Sequence, residues 1–199
     1  LNVFFPELND TKKRKPFSIK EISLLHDKCR STDDDVRHLV ALISDTGVRL
    51  GEATGLKVAD IKIDCPTPHI HIRPNPIRRL KTKQSERQVP LIGASLWAAK
   101  RLITNSSGDY AFPRYVKNGT CLSNSASATL NKWIRSNICN DLVVHGLRHG
   151  FRDRLREVGC PPEIADSLGG WSRNSIGESY GDGYSLKAKH EWLCKIALD

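Results

Sequence analysis

Six side chains strung along this chain have the chemistry to break a phosphodiester: Arg49, Lys81, His145, Arg148, Trp171 and Tyr180. Two guanidiniums can hold both non-bridging oxygens of a phosphate in bidentate fashion and stay charged at any working pH. Tyr180 supplies a hydroxyl nucleophile. A free phenol, with a pKa near ~10, is a poor nucleophile at neutral pH, so neighbouring cations or a base must help it lose its proton. His145 is of the right type to take that proton or to hold the phosphate, and a lysine on its long stem can reach over a substrate. Taken singly, each has an ordinary explanation. An isolated Arg-x-x-Glu is by default an exposed ion pair, a hairpin lysine a solubilising charge, and a lone tryptophan an interior aromatic.

The local patterns carry more than the single residues do. They are Thr46-Gly-Val-Arg-Leu-Gly-Glu52, His145-Gly-Leu-Arg-His149 and Leu168-Gly-Gly-Trp171, the last followed nine residues on by Tyr180. In this order they resemble the catalytic domain of the tyrosine recombinases, the phage-integrase family, over roughly Phe17 to Ile196. The string Lys81-Thr-Lys-Gln-Ser-Glu-Arg-Gln-Val-Pro90 is similar to the family's β-hairpin with a catalytic lysine, in which the lysine before Thr is the usual one; Lys83 is the reserve. Most relatives read Leu-Gly-His where this chain has Gly170-Trp171, and an indole N–H can donate to a phosphate oxygen but cannot shuttle a proton. Tyr184 is the competing nucleophile, disfavoured by spacing and by its place after Gly181 and Gly183.

The resemblance implies a mainly α domain with a small three-stranded antiparallel sheet, an α+β fold of the integrase catalytic type. It also implies a site-specific recombinase that integrates or excises DNA. Tyr180 would attack the scissile phosphate, giving a 3′-phosphotyrosyl link and a free 5′-hydroxyl, while Arg49 and Arg148 stabilise the growing charge, Trp171 adds a neutral donor and Lys81 protonates the leaving oxygen. No metal, nucleotide or other cofactor is expected. The expected partners are double-stranded DNA, further copies of the chain assembling as a tetramer on that DNA, and accessory DNA-bending proteins. A type IB topoisomerase shares the chemistry but reseals on one DNA, and a non-catalytic DNA-binding module accounts for the charge but not for the tyrosine and arginines. A metal-dependent nuclease is disfavoured because no acidic cluster suited to Mg²⁺ stands out.

Bulk properties agree. With 31 Lys and Arg against 22 Asp and Glu, the 199-residue chain carries a net charge of +9 and should be drawn to a polyanion. A hydrophobic content of 39% is enough for one buried core. No apolar run approaches the ~20 residues that span a bilayer and no signal-peptide pattern opens the chain, so the expected setting is the cytoplasm of a bacterium or phage host, at the nucleoid. Six cysteines with no Cys-x-x-Cys pair read as reduced, partly buried thiols. His69 with His71, and His145 with His149, have chelating spacing, but the first pair has no carboxylate or cysteine beside it, so metal is not expected. A start at Leu1 and the lack of methionine suggest a fragment. Residues 1–16, ending in Lys12-Lys-Arg-Lys15 before Pro16, read as an interdomain linker: either a solvated arm or a segment lying along a phosphate backbone. Residues 17–199 are the expected catalytic domain, without the N-terminal DNA-binding domain that would complete a clamp.

The elements that must position the site follow from local signals. Ser18 and Glu21 form a capping box and Phe17 with Ile22 a hydrophobic staple, opening a helix at the domain's start. A second helix is predicted from Asp34 to Ser44; Gly47 ends it and delivers Arg49 to a short helix at Leu50 to Leu56, where Glu52 is close enough to orient the arginine. Alternating runs at Asp60–Ile63, His69–Arg73 and Arg87–Leu91 predict the sheet. Further helices are predicted at Ala94–Thr104, Ser123–Ser136, Val144–Val158, Pro162–Leu168, Asn174–Gly181 and Leu186–Ala197. On the helix at Val144 an apolar stripe of Leu147, Phe151, Leu155 and Val158 borders a basic arc of His145, Arg148, His149, Arg152 and Arg156. His145 and Arg148 lie where orphan N–H groups and the helix dipole favour an anion. The last helix carries Trp192, Leu193 and Ile196, which either fold back on their own domain or, as the resemblance implies, dock on a neighbouring copy.

Overall fold

The structure is a computed structural model that describes residues 14–82, 85–171 and 183–198. Tyr180, Lys83, the predicted helix at 174–181 and most of the predicted linker lie outside the described residues. Helix α1 (Ile19–Thr32) starts at the capping box: the Ser18 hydroxyl accepts from the Glu21 N–H at 3.3 Å, and the Glu21 carboxylate accepts from the Ser18 N–H at 2.8 Å. Phe17 and Ile22 are both buried, as the staple requires.

Helix α2 (Asp35–Thr46) is the centre of the domain, in contact with α1, α4 (Gly93–Asn105) and α6 (Val144–Glu157). Its sequence is apolar on nearly every side, and a helix of that kind belongs in a core. Val36, Leu39, Val40, Ala41, Leu42 and Ile43 are all buried. Gly47 ends it at φ 61°, and a Cβ there would strike the Phe151 ring of α6, so both the left-handed backbone and the close approach require glycine. Helix α3 (Leu50–Thr54) follows. It stops short of the predicted Leu56 because the Gly55 carbonyl accepts from the Asn75 side chain at 2.7 Å, and Leu56 accepts from the Ala111 N–H at 2.9 Å.

Strands β1 (Ile61–Lys62), β2 (His69–Ile72) and β3 (Arg87–Pro90) form an antiparallel sheet in that order. Ile61 pairs with Ile70 and Ile70 with Val89, so one buried row crosses all three strands. A second hairpin, β4 (Val116–Lys117) with β5 (Thr120–Cys121), is an addition to the predicted fold. Asn118 and Gly119 both turn through positive φ (50° and 68°), the geometry that Asn-Gly favours in a two-residue hairpin. Helices α5 (Ser123–Asn137), α6 and α7 (Pro162–Gly169) fall within a residue of their predicted ends.

Two expectations change. On α6, Leu147, Phe151 and Leu155 are core, and Arg148 of the basic arc is buried beside them, 5% exposed. Arg154, absent from the predicted arc, is also buried, held by the Asp45 carboxylate at 3.0 Å. Helix α8 (Leu186–Cys194) is shorter than predicted, because its end tightens into i→i+3 bonds from Lys195 and Ile196. It folds back on its own domain beside β3, with Leu193 and Ile196 buried and the Ile196 carbonyl accepting from Arg154 at 3.1 Å. All six cysteines are free thiols, and burial pushes Cys29 up to about 12.

A candidate phosphate-binding site

Arg49 is set at the mouth of the α2–α3 turn, as the cap residue of α3. Glu52 fixes it twice, accepting from its backbone N–H at 2.9 Å and from its guanidinium at 2.7 Å. The same guanidinium donates to the Gly170 carbonyl at 2.9 Å and to the Ser85 hydroxyl at 3.3 Å. Arg148 comes from the opening of α6 and donates to the Gly47 carbonyl, the residue that ends α2. Its other terminal nitrogen, Nη2, is buried and, among the described residues, has no hydrogen-bond partner. A buried charged donor without an acceptor is costly. Burial, then the Arg49 and Arg87 charges, pull Arg148 down to about 9, which leaves it charged at neutral pH.

Glu52 holds more than Arg49. Both of its oxygens also accept from Arg87, at 2.9 and 3.3 Å, and its backbone carbonyl accepts from the buried Arg78. Burial by itself would raise the Glu52 pKa, but the Arg87 charge and the hydrogen bonds from Arg87 and Arg49 outweigh it and the pKa is lowered. Arg87 in turn donates to the Leu168 carbonyl at 2.7 Å and the Ser85 carbonyl at 2.7 Å. It thus ties α3, the hairpin and the end of α7 together. Sequence reasoning treated Arg87 as an ordinary strand residue. A signal was there: Arg87 falls on the same face as Val89, the inward one, where a charged side chain needs a buried partner.

The Leu168-Gly-Gly-Trp171 stretch is shaped by that network. Gly170 takes φ 62° with Arg87 against its α-carbon, and a Cβ on Gly169 would overlap the Trp171 ring. Two cations lie against the indole, the Arg148 guanidinium 4.3 Å and that of Arg152 4.6 Å from its ring centre. Arg152 is itself paired to Asp166 at 2.8 Å.

Arg49, His145 and Arg148 meet on one cleft of about 230 Å³, whose wall is completed by Arg14, Ser123 and Asn124 among others. The His145 ring meets His149 edge-on with centroids 5.0 Å apart. Partial burial, then the charges of Arg14, His149, Arg148 and Arg49, pull His145 down to about 4, so it is neutral at physiological pH and a weaker base than a free imidazole. Trp171 and Lys81 do not line this cleft. Lys81 is exposed in the bend between β2 and β3. Its neighbour Thr82 hydrogen-bonds Ser85 at 3.1 Å, and Ser85 receives Arg49, which is the link from the lysine's bend to the arginine. Tyr184 is 42% exposed.

The histidine pair on β2 is not bare of metal-ligand types, contrary to expectation. Cys65 Sγ lies 3.8 Å from His69 Nδ1, and Glu86 lies 3.8 Å from His71 Nε2. The His69 ring also meets the Thr67 carbonyl at 2.9 Å. Among the described residues no group of three or more His, Cys, Asp or Glu is arranged to hold a metal ion, and no helix is long and apolar enough to cross a membrane.

A helical domain of this layout recurs in DNA-bound enzymes. The structure matches the Tn1549 transposon integrase solved with transposon right-end DNA, at a TM-score of 0.61 and 19% identity, covering 93% of this chain and 68% of the other. It matches XerH site-specific recombinase bound to its difH substrate (TM-score 0.60, 19% identity, 93% and 52%) and XerA recombinase (TM-score 0.61, 17% identity, 92% and 60%). At these identities the likeness is one of fold. The phage integrase family matches residues 17–185, and the chain belongs to that family. It is similar to the tyrosine recombinase XerD of Corynebacterium glutamicum, 28% identical over an alignment of 177 residues that covers 82% of this chain and 55% of XerD. The chain thus spans about half the length of that relative.

Proposed function

We propose that this domain cuts and rejoins double-stranded DNA by site-specific recombination through a covalent tyrosine intermediate. The observation that carries the reading is the pairing of the half-buried Arg49 with the buried Arg148, fixed by backbone carbonyls and Glu52, with one Arg148 nitrogen left for an external anion beside a neutral His145. The Tyr180 oxygen attacks the scissile phosphorus, His145 takes the phenolic proton, and the bond from phosphorus to the 5′-oxygen breaks as Lys81 gives that oxygen a proton. Arg49 and Arg148 stabilise the charge on the non-bridging oxygens, and donors fixed in advance cost no reorganisation when that charge develops. The stacked Trp171 holds the Arg148 guanidinium in plane and is the neutral donor of the set. Each proton and charge in this scheme has a residue to handle it, so the scheme calls for no cofactor. A second strand's 5′-hydroxyl then reverses the step and completes the exchange.

Exchange needs two DNA sites and so several copies of the chain; we infer a tetramer that forms on DNA, with accessory bending proteins where the sites are far apart, in the bacterial cytoplasm. The test uses nicked duplexes of randomised sequence, followed by a denaturing gel. Protein retained on 3′ ends supports the reading, and no adduct on any sequence points instead to a non-catalytic DNA-binding module. Adducts that reseal only on their own duplex, with no exchange between two labelled DNAs, point to topoisomerase-like action.

A further inference from the structure

Glycines 146 and 150 stand four residues apart on α6, hence on one face of it. That face meets backbone. A Cβ on Gly146 would lie 2.5 Å from the Lys15 carbonyl oxygen, and one on Gly150 would lie 3.1 Å from the Phe17 carbonyl oxygen. Neither glycine has a positive φ, so it is the close approach alone that excludes a side chain. The two form a notch in which residues 15–17 are seated, anchored by the buried Phe17 ring. The chain enters the domain along the same helix that opens with His145 and Arg148.

Seating this segment brings Arg14 to the wall of the cleft that Arg49, His145 and Arg148 share. Its charge is felt there, the largest charge effect on His145 after burial. Arg14 is exposed and, among the described residues, has no acidic partner, unlike the adjacent Lys15, which lies 4.0 Å from Glu21. The three arginines of the cleft, Arg14, Arg49 and Arg148, therefore repel one another, with Glu52, among the described residues, as their near counter-charge and already held by Arg49 and Arg87. A polyanion relieves that repulsion.

We propose that Arg14 is a phosphate-binding residue of this cleft, gripping a phosphate that flanks the scissile one, and that the Gly146/Gly150 notch is the device that places it there. This rests on the reading of the domain as a DNA-cleaving enzyme. It gives the described end of the charged run a defined role: residues 15–17 are the strap, and Arg14 is the cation it delivers to the site.

The test is the salt dependence of binding to a 30-base-pair duplex of arbitrary sequence, measured by anisotropy between 50 and 200 mM salt. Each phosphate contact contributes about 0.9 to the slope of log affinity against log salt. Arg14→Gln, a change at an exposed residue, should lower the slope by about 0.9, so that the variant loses about 3.5-fold less affinity than the parent over that range. Gly146→Ala should lower it equally by unseating the strap, although helix propensity alone favours alanine, and combining the two changes should add nothing. An unchanged slope in Arg14→Gln, with normal binding and adduct formation by the parent, overturns the assignment of Arg14 and leaves the proposed activity standing. An unchanged slope in a folded Gly146→Ala, where Arg14→Gln lowers it, overturns the role of the notch. A parent that shows no salt-dependent binding to duplex sinks the proposed activity itself.

Discussion

Arg49 and Lys81 belong to one candidate site, yet their surroundings could hardly differ more. The Arg49 guanidinium is held by Glu52, Ser85 and the Gly170 carbonyl, and Arg148 is 5% exposed beneath Trp171. Lys81 is exposed on a bend, tied to the rest only through Thr82 and Ser85. The contrast fits the two jobs proposed for them. A charge that stabilises a transition state works best when fixed beforehand, whereas a proton donor must reach its oxygen only once the strand is in place. The cleft is lined by the arginines and His145 but not by Lys81.

The largest effect belongs to neither half. Tyr180→Phe should abolish the covalent adduct while leaving duplex affinity nearly unchanged, because it removes the nucleophilic oxygen but no cation. Tyr184→Phe should keep the adduct. A denaturing gel in which the first variant still cross-links and the second does not would transfer the nucleophile to Tyr184.

On the rigid side, Arg49→Ala and Arg148→Ala should slow cleavage by at least ~10²-fold, the scale of losing one transition-state charge donor. Arg148→Lys should recover little, since a point ammonium cannot donate to the Gly47 carbonyl and a phosphate in the same plane while stacking on Trp171. Single-turnover cleavage rates decide it; near-parental rates in Arg148→Lys would mean that the planar fork is irrelevant.

The exposed side should behave differently. Lys81→Ala should slow cleavage by about 10²-fold, as loss of a general acid does, and a 5′-thio leaving group, which needs no proton, should restore the rate. The same substrate should not rescue Arg49→Ala. Rescue of Lys83→Ala in place of Lys81→Ala would move the acid two residues along the hairpin.

Which parts were legible beforehand depends on the range of the interactions. The Ser18–Glu21 box, the Gly47 stop and the His145-x-x-Arg148 helix are written within a few residues, and the sequence places each correctly. Arg87 meets Leu168 and Arg154 meets Asp45 across 81 and 109 positions, and nothing local announces such pairs beyond a charge on an inward face. The Asn118-Gly119 hairpin was legible and passed over, its strands being two residues each. Cys65 beside His69 was missed because the turn between them closes only in three dimensions.

The smallest effect tests the carboxylate that holds the rigid half together. Glu52 has a lowered pKa, so the stability it contributes is fully present above its unfolded value of 4.5 and is lost as the pH falls through the still lower folded value. At neutral pH, Glu52→Gln leaves Arg87 and Arg49 facing a neutral amide, and breaking a buried pair in this way costs about 3 kcal/mol. His145 adds its own acid sensitivity: held at about 4 when folded, it makes the protein less stable as the pH drops below 6.5, where the unfolded chain takes the proton first. That effect is common to parent and variant and cancels in their difference. The gap in melting temperature should therefore be constant from pH 8 down to about 5 and should close below 4.5, as the parent's own carboxylate is neutralised. A gap that does not begin to narrow as the pH falls below 4.5 would mean that Glu52 acts by shape, not charge, and that Arg49 owes its position to the Gly170 carbonyl and Ser85.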